Sequence, residues 1–424
     1  DDLDKTRMLS AGQTPFYEPG IRELLEKHLA SGRFRVASDS ATAVKESDIV
    51  FVCVGTPQAE DGSADLSQVE NAARTVAQNA NGYKLIVEKS TNPVSTAEKV
   101  KKTIIGYLGI EHQIEVAVNP EFLREGRALE DFFNPDRIVI GVESERARDI
   151  LFRIYEPLLK NLHRGNVSTN QSEVSPAMSG QRMVVTDLNT AELIKHSSNA
   201  FLAMKVSFIN MVSDICEAAD ADVNDVAIGL GMDPRIGLDF LRAGVGFGGY
   251  CLPKDLKAFI RITQDHQVDA SLLQAIELVN NSRVDRFVSK LSQAVDGIMG
   301  RKMAVWGLAF KPGTDDVRDA PSIKIIRKLL EHGACLNLYD PQAMNEFKES
   351  FQGPVENLEY MDTADDAVVD TEAILLLCEW DEFKVVDLKS LRGKMARPIL
   401  LDGRNFLDRE TVTSSGFQYL GMGR

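Results

Sequence analysis

The chain has 424 residues, a length that predicts two or three domains. Its 44% hydrophobic and 26% charged residues are typical of a folded protein and argue against disorder. The net charge of −15 argues against a nucleic-acid-binding surface, so a bound anion would need a local cluster of basic residues. The apolar runs are far shorter than a membrane span, and five scattered cysteines argue against a disulfide framework or a metal site. A reducing cytoplasm is therefore the expected location.

Between residues 38 and 141, short β-branched runs alternate with helical stretches. Nearly continuous apolar strands separated by helices predict a parallel sheet that is covered on both faces, as in a doubly wound α/β domain. The predicted strands are residues 49–54, 85–87, 114–118 and 138–140, and the predicted helices are residues 66–78, 95–105 and 121–131.

The middle of the chain has a mostly helical pattern. A polar segment at residues 161–181 predicts an exposed loop, and a short strand at 183–186 follows it. Long helical patterns then cover residues 188–221 and 270–295. From Lys302 the α/β alternation returns, with strands at 303–306, 335–338, 373–377 and 399–401 and a helix at 321–332. The predicted fold class is therefore α/β, with two doubly wound Rossmann-like domains joined by a helical central domain.

Cys251 is the candidate nucleophile. It follows the glycine-rich residues 244–249 and precedes Lys254 and Asp255. Glycines let a backbone approach a ligand closely, and a lysine with a nearby helix N-terminus would favour the thiolate. The alternative is a small buried cysteine, which describes most cysteines, but these glycine-rich and charged surroundings favour a nucleophile.

Lys195 and Asn199 lie four residues apart on the first long helix, so they share one face. A lysine beside an amide could hold an oxyanion or a water molecule. The alternative is a solvated helix face, which the spacing alone favours.

Polar residues follow three predicted strands in turn. Thr56 follows the first, Ser90 and Thr91 follow the second, and Glu121 follows the third. Because the carboxyl edge of an open α/β sheet is where ligands bind, these residues predict a ligand crevice. Glu121 with Glu125 could instead be a charge pattern in the first turn of a helix. The histidines form no triad with Asp or Ser, and we expect all of them to be structural or at the surface.

Ordered motifs extend along essentially the whole chain, and they include NPEFLREG at 119–126, ELIKHSSNAF at 192–201, GFGGYCLPKD at 246–255 and GLAFKPGT at 307–314. Further motifs lie at residues 15–20, 54–57, 88–91, 134–137 and 402–404. With these motifs in this order, the sequence resembles the UDP-glucose/GDP-mannose dehydrogenase family. The resemblance implies an NAD-binding Rossmann-like domain at residues 1–186, a helical central and dimerisation domain at 187–298, and a UDP-sugar-binding domain at 299–424.

The resemblance implies a four-electron oxidation of the C6 alcohol of a nucleotide sugar to a carboxylate, with two NAD⁺ used in succession. The Cys251 thiolate would capture the intermediate aldehyde as a thiohemiacetal, which a second hydride transfer converts to a thioester. Lys195 and Asn199 match the helix pair that stabilises the oxyanion. Asp255, Glu121 and Thr91 match residues that orient water and manage protons in the hydrolysis.

The resemblance also implies binding residues and a partner. The residues that match the family's substrate contacts are Phe122, Leu123, Arg124, Glu125, Lys195, Arg235, Phe240, Leu241, Arg242, Ala243, Gly244, Gly248, Lys311 and Arg404. The residues that match its NAD contacts are Lys5, Thr56, Ser90, Thr91, Glu125, Lys254 and Arg318. Arg235, Arg242, Lys311 and Arg404 would form the basic cluster that a diphosphate needs on this acidic chain. The long central helix would build a homodimer in which Arg235 reaches the neighbouring subunit's site.

The sequence departs from the family pattern at two places. No opening strand with a glycine loop for the pyrophosphate precedes Asp1, and the family's acidic ribose-binding residue should fall at or just before it. The segment 161–181 is also longer than the family leads us to expect, and we expect it at the surface.

Residues 119–126 and 402–404 favour UDP-glucose as the substrate. A GDP-mannose or UDP-N-acetylhexosamine dehydrogenase is the nearest alternative. A nucleotide-sugar-binding protein without turnover is another, because of the missing glycine loop. A thiol hydrolase or acyltransferase would need a histidine base that the sequence does not supply.

Overall fold

A computed structural model describes residues 2–37, 39–59, 62–108, 114–162 and 182–424. The predicted surface loop at 161–181 lies almost wholly outside these residues. The chain forms two compact units. Unit 1 comprises Asp1–Ser198 and Lys257–Gln267, and unit 2 comprises Asn199–Leu256 and Val268–Arg424. The division into three domains at residues 186 and 298 stays a prediction.

Unit 1 contains a five-stranded sheet of order β1-β2-β3-β4-β5. Its strands are β1 (Ile49–Val52), β2 (Lys84–Glu88), β3 (Ile114–Val118), β4 (Ile138–Gly141) and β5 (Met183–Thr186). β1 to β3 are parallel to one another, as the sequence predicts, and so are β4 and β5. The prediction of parallel strands is wrong between β3 and β4, which pair antiparallel through Val118 and Gly141.

The helices of unit 1 explain this reversal. They are α1 (Leu3–Ser10), α2 (Ile21–Ala30), α3 (Ser40–Glu46), α4 (Ser67–Asn79), α5 (Thr96–Leu108), α6 (Ala128–Phe133) and α7 (Glu145–Leu162). A parallel crossover needs a helix long enough to return along the sheet. The six-residue α6 is only about 9 Å long, so the chain reverses and enters β4 antiparallel.

The β2 strand is buried on both faces, which is the signature of a doubly wound sheet. Ile86 packs on one side with Val69 of α4 and Val100 of α5. Leu85 packs on the other side with Leu151 of α7. The predicted helices at 66–78 and 95–105 are therefore confirmed within a few residues at their ends.

The predicted helix at residues 121–131 is wrong in its first half. Residues 119–127 are irregular, and α6 begins only at Ala128. Gly126 has a φ of 75°, and the Glu18 carboxylate accepts the N–H of Gly126 and of Ala128, both at 2.7 Å. This carboxylate caps α6 from a distant part of the sequence, so the helix starts where the cap is and not where the apolar pattern starts.

Unit 2 contains a six-stranded parallel sheet of order β11-β10-β9-β6-β7-β8. Its strands are β6 (Lys302–Trp306), β7 (Cys335–Tyr339), β8 (Leu358–Tyr360), β9 (Ala373–Leu376), β10 (Ile399–Asp402) and β11 (Gln418–Gly421). Successive residues of the central β6 face opposite cores, with Met303 and Val305 in one and Ala304 and Trp306 in the other. The sequence misses the short outer strands β8 and β11, which lack a continuous apolar run. The predicted α/β class with Rossmann-like sheets is confirmed.

The remaining helices form the middle of the chain and alternate with the strands of unit 2. They are α8 (Leu188–Ala219), α9 (Val223–Gly231), α10 (Cys251–Asp265), α11 (Ser271–Ala294), α12 (Pro321–Glu331), α13 (Met344–Ser350), α14 (Ala364–Ala367), α15 (Leu388–Arg392) and α16 (Arg409–Ser414). Both α8 and α10 have residues in each unit. The long helices that the sequence predicts at 188–221, 270–295 and 321–332 correspond to α8, α11 and α12.

A buried arginine joins α11 to α8 and to the glycine-rich segment within unit 2. The Arg283 side chain is fully buried, and it donates to the carbonyls of Gly244 at 3.1 Å and Asn210 at 3.2 Å. Its charge is matched by the carboxylate of Asp214, at 2.6 Å. Arg286, one turn later, reaches the same carboxylate at 3.0 Å but is half-exposed.

We expect Arg283→Met to lower the free energy of unfolding of unit 2 by about 3 kcal/mol, because it leaves the carbonyls of Gly244 and Asn210 without this buried donor and removes the buried half of an ion pair with Asp214. Arg286→Met, the matched control on the same carboxylate, should cost less than about 1 kcal/mol. Urea unfolding followed by circular dichroism measures the free energy of unfolding of both variants. Equal losses in the two variants would contradict the conclusion that Arg283 joins α11 to α8 and to the glycine-rich segment.

Candidate active site

The carboxyl edge of the sheet in unit 1 brings together the predicted polar residues. The Thr56 hydroxyl, which follows β1, donates to the carbonyl of Thr91 at 2.9 Å. The Ser90 hydroxyl donates to the carbonyl of Val54 at 2.6 Å. The segments after β1 and β2 are thus joined to each other, as neighbouring parallel strands predict.

Lys195 of α8 joins this edge through Glu121. Its ammonium lies 2.9 Å from Glu121 Oε1, and Glu121 Oε2 accepts the N–H of Leu123 at 2.6 Å. The side chain of Lys195 is only 5% exposed. Asn199 is also buried, so the alternative of a solvated helix face is wrong.

A cleft lies beside this ion pair in unit 1, lined by Glu121 together with the predicted substrate residues Phe122, Leu123 and Arg124. The Arg137 guanidinium lies 3.7 Å from the centre of the Phe122 ring, a cation–π contact that holds the ring in place. The cleft therefore combines an apolar wall with charges of both signs.

Lys89 also lines this cleft, although the sequence analysis did not single it out. Its ammonium donates to Oδ1 of Asn119 at 3.1 Å, and Asn119 also accepts from the Tyr155 hydroxyl. Burial lowers the pKa of Lys89, while the nearby charge of Glu121 raises it. Glu121 thus has two lysines in its neighbourhood, Lys89 and Lys195.

Cys251 is the first residue of α10 in unit 2, and it is partly exposed. The N-terminus of this 15-residue helix carries a partial positive charge that stabilises negative charge on the sulfur. Lys254, the other predicted source of positive charge, is held by Asp255, with 2.6 Å between Nζ and Oδ1. Asn199 of α8 donates to the other oxygen of Asp255, also at 2.6 Å. Lys254 and Asp255, in the first turn of the helix that carries the cysteine, therefore form one buried polar cluster with Asn199 of α8.

The glycines before Cys251 lie against other segments of protein backbone. A Cβ on Gly244 would lie 2.4 Å from the carbonyl oxygen of Gly403, and one on Gly248 would lie 2.5 Å from that of Asp319. These glycines are needed because protein backbone approaches both of them closely. Leu241 and Ala243, predicted substrate contacts, are buried in the core of unit 2, while Arg242 between them is exposed and Phe240 has a φ of 65°.

The residues of the predicted basic cluster differ in their surroundings: Arg404 contacts backbone carbonyls inside unit 2, whereas Arg235 is exposed. The Arg404 guanidinium donates to the carbonyls of Leu377 at 2.8 Å, Gly246 at 3.1 Å and Phe310 at 2.9 Å, so it braces the backbone of unit 2. Lys311 follows Phe310, and its ammonium lies 5.3 Å from that ring centre. Arg235 is 88% exposed and paired with Asp233 at 2.6 Å.

The remaining predicted NAD residues lie in both units. Arg318 is paired with Asp316 at 2.6 Å and lies 4.3 Å from the ring centre of Tyr250, next to Cys251. Lys5 is on the exposed face of α1. Glu125 lies in the irregular segment before α6. Over the ranges that the structure covers, no group of three His, Cys, Asp or Glu is placed to hold a metal ion.

Sequence reasoning missed two buried carboxylates behind this edge, Glu88 and Glu192. Desolvation raises the pKa of Glu88 to about 7 and that of Glu192 to about 8, although backbone N–H groups oppose the second shift. Glu192 was recoverable in principle, since it lies on the α8 face of Lys195 and Asn199 at helical spacing. Glu88 ends an apolar strand, and no pattern distinguishes it from a solvated strand end.

The sequence matches three profiles of one family over most of its length. Those of the NAD binding domain, the central domain and the UDP binding domain of the UDP-glucose/GDP-mannose dehydrogenase family match residues 1–159, 189–282 and 304–409. The chain belongs to this family. Thr56, Ser90 and Thr91 follow the carboxyl ends of adjacent parallel strands, which is where a dinucleotide binds in an open α/β sheet, so their positions fit this cofactor.

Individual members are similar over the whole chain. UDP-glucose 6-dehydrogenase of Rhizobium meliloti (strain 1021) is 42% identical and aligns over 100% of this chain and 92% of its own. UDP-glucose 6-dehydrogenase TuaD of Bacillus subtilis (strain 168) is 39% identical over 100% and 87%. The solved UDP-glucose dehydrogenase of Pyrobaculum islandicum superposes with a TM-score of 0.87 at 36% identity, covering 100% of this chain and 90% of that one. A UDP-D-ManNAc dehydrogenase from Pyrococcus horikoshii gives 0.82 at 25% identity, over 100% and 92%.

Burial of Glu88 predicts a pH dependence of stability, because the raised pKa lets this residue bind a proton in the folded protein at pH values where the unfolded chain has released it. The contribution of Glu88 is fully present below the unfolded pKa near 4.5 and is lost as the pH rises through about 7. We expect the melting temperature of the Glu88→Gln variant to fall by several degrees less than that of the wild type between about pH 6 and pH 9.

Differential scanning calorimetry across this range tests the expectation. Glu98→Gln, which changes a more exposed carboxylate on α5, should follow the wild-type curve. Parallel curves for the wild type and Glu88→Gln would show that Glu88 is ionised in the folded state.

Proposed function

We propose that this protein is an NAD-dependent UDP-glucose 6-dehydrogenase. UDP-glucose, two NAD⁺ and water would give UDP-glucuronate, two NADH and three protons. The observation that carries the proposal is the position of Cys251 at the start of α10, beside the buried cluster of Asn199, Lys254 and Asp255. When bound, NAD⁺ supplies the hydride acceptor for both oxidation steps.

Cys251 performs the covalent chemistry. Once the C6 alcohol has lost a hydride and a proton, the thiolate adds to the aldehyde carbon and forms a C–S bond. Loss of a second hydride from the resulting thiohemiacetal gives a thioester. Water then adds to the thioester carbon, the C–S bond breaks, and the sulfur leaves as the thiolate while the carboxylate departs.

The surrounding side chains stabilise charge and hold protons. Lys195 and Asn199 lie one turn apart on α8 and provide an ammonium and an amide N–H for the oxyanion of the tetrahedral intermediates. Asp255 holds the Asn199 amide and the Lys254 ammonium in fixed positions. Glu121, held by Lys195, and Thr91, held by Thr56, orient the hydrolytic water, and the Glu121 carboxylate accepts its proton.

The residues proposed to contact the nucleotide sugar come from both units. The walls of the unit 1 cleft, Phe122 to Arg124, contact the sugar, with Glu125 beside the cofactor. In unit 2 the backbone around Gly248, together with Arg242, Lys311 and Arg404, binds the uridine diphosphate. UDP-glucose is preferred to GDP-mannose or a UDP-N-acetylhexosamine, because the relatives at 36–42% identity are named for UDP-glucose and the UDP-D-ManNAc enzyme is 25% identical.

The protein also acts as a homodimer in this proposal. Phe201, Phe208, Met211 and Ile215 follow one another at helical spacing on α8, and each is more than 40% exposed. Such a stripe is typical of a helix that packs against another copy. Arg235, on the exposed segment after α9, would reach the neighbouring subunit's substrate. The location we propose is the cytoplasm, since the cysteines are unpaired and NAD is abundant there. None of the helices that the structure describes is long and apolar enough to cross a membrane.

Turnover with a panel of nucleotide sugars tests the reaction. We expect UDP-glucose to be oxidised with two NADH formed per glucuronate, at least tenfold faster than GDP-mannose or UDP-N-acetylglucosamine. Cys251→Ser should bind UDP-glucose within a few-fold of the wild type, measured by calorimetry, and should lose acid formation by about 10³-fold or more. Cys335→Ser, a partly buried cysteine at the start of β7, should be unchanged. Turnover confined to GDP-mannose would overturn the choice of substrate, and glucuronate formation by Cys251→Ser would overturn the covalent route.

Light scattering tests the dimer. Phe208→Glu places a charge in the middle of the apolar stripe, so we expect the mass in solution to fall from two chains to one. Val385→Glu, which changes an apolar side chain that is 83% exposed elsewhere in unit 2, should leave the dimer intact. A wild-type protein of one chain, or a dimer that persists in Phe208→Glu, would show that this stripe is not the interface.

A further inference from the structure

The N-terminus of α5 is capped by a side chain of α8. Glu192 is buried, and its two carboxylate oxygens accept the N–H of Ser95 at 2.7 Å and of Ala97 at 2.9 Å. Ser95 has a φ of 71°, so the chain enters α5 through a turn in the left-handed region. A carboxylate from another helix thus supplies the acceptors that the first turn needs.

The same face of α8 holds the other end of this turn. His196 Nε2 donates to the carbonyl of Asn92 at 2.8 Å, and the imidazole, which is buried, stacks on Phe259 with 6.1 Å between ring centres. The Asn92 amide in turn donates to Glu88 Oε2 at 2.7 Å. Residues 92–97 are therefore attached to α8 at two points, Glu192 and His196, which lie one helical turn apart.

The attached segment begins one residue after Thr91. The Thr91 carbonyl accepts from Thr56, and Lys89 at the start of the same loop lies close enough to Glu121 and Lys195 for their charges to interact. Lys195 lies between Glu192 and His196 in sequence, and its ammonium is on Glu121. One short stretch of α8 therefore fixes two groups of the proposed hydrolytic step: Glu121 directly, and Thr91 through its loop.

We propose that Glu192 and His196 are positioning residues for Thr91, which set its place relative to the Lys195–Glu121 pair. This inference rests on the proposed function, in which Thr91 and Glu121 orient the water that hydrolyses the thioester. Neither side chain touches the reacting atoms. A displacement of about 1 Å in such a group is enough to reduce a rate by about a hundredfold, so the attachment matters for turnover even where binding is unchanged.

Two substitutions separate the attachment from the fold. Glu192→Gln keeps the shape but replaces one acceptor with an NH₂ group that faces a backbone N–H. His196→Phe keeps the stack on Phe259 and removes the donor to Asn92. Glu98→Gln is the matched control, because Glu98 also links α5 to α8, accepting from Asn189 at 3.0 Å, without touching the loop.

The first measurement uses the protein without substrate. Hydrogen exchange followed by mass spectrometry should show peptides over residues 90–97 exchanging at least about tenfold faster in Glu192→Gln and His196→Phe than in the control, with the rest of unit 1 unchanged. The second measurement is steady-state kinetics. We expect kcat to fall by about tenfold to a hundredfold in both variants, with KM for UDP-glucose within about threefold of the wild type.

A purely structural role predicts a different result. If kcat stays within about twofold of the control, or if kcat and KM change together with exchange raised throughout unit 1, Glu192 and His196 only stabilise the fold and the proposal is wrong. His196→Phe decides the question by itself if Glu192→Gln does not fold. If the wild type oxidises none of the nucleotide sugars, the proposed function fails, and the exchange data still report whether the loop is held from α8.

Discussion

Burial of a polar stripe on α8 is the constraint on which the candidate site depends. A helix can bury charged and amide side chains only if each finds a partner, because an unpaired buried charge costs several kcal/mol. The stripe consists of Glu192, Lys195, His196 and Asn199. Their partners are two backbone N–H groups at the start of α5, the Glu121 carboxylate, the Asn92 carbonyl and the Asp255 carboxylate. Within unit 1, satisfying this helix face fixes the loops after β2 and β3; within unit 2, the Asn199–Asp255 contact fixes the first turn of α10.

In unit 2, close packing of the backbone constrains the glycine-rich segment before Cys251. The glycine-rich segment lies against Gly403, Asp319 and Phe310 at distances that a Cβ would not permit, and Arg283 donates to the carbonyl of Gly244. Close packing of backbone on backbone leaves little freedom to the residues that follow. Cys251 is thus presented by a rigid segment, which a covalent reaction requires because the attacking atom must meet its target at a defined angle.

The sequence predicts the elements that are long and strongly patterned. The runs of buried β-branched residues predict nearly every strand, and helical spacing predicts α4, α5, α8, α11 and α12. The prediction fails where tertiary partners decide the outcome. The apolar pattern near Glu121 suggests a helix, but the Glu18 carboxylate, about a hundred residues earlier, caps α6 only at Ala128. The edge strand β8 has three residues and too little apolar pattern to be recognised.

Site residues are predictable from their chemistry, but their exact contacts are not. Motif resemblance selects Lys195, Asn199 and Asp255, and the structure pairs Asn199 with Asp255. The motif resemblance does not predict the contacts of Glu192 and His196 with the loop after β2, because a buried carboxylate and a solvated one look alike in a helical pattern. The motif resemblance also does not predict that the Arg404 guanidinium donates to three backbone carbonyls.

The pairing of Lys254 with Asp255 bears on how Cys251 can serve in both halves of the proposed reaction. The sulfur must attack an aldehyde and later leave a thioester, and a thiolate that is stabilised too strongly leaves readily but attacks poorly. A full positive charge beside the sulfur would favour leaving at the expense of attack. Asp255 compensates the Lys254 charge, while the α10 N-terminus supplies only about half of an elementary charge. A nucleophile that must first attack an aldehyde and later leave a thioester is therefore better served by the partial charge of a helix N-terminus than by the full charge of a lysine.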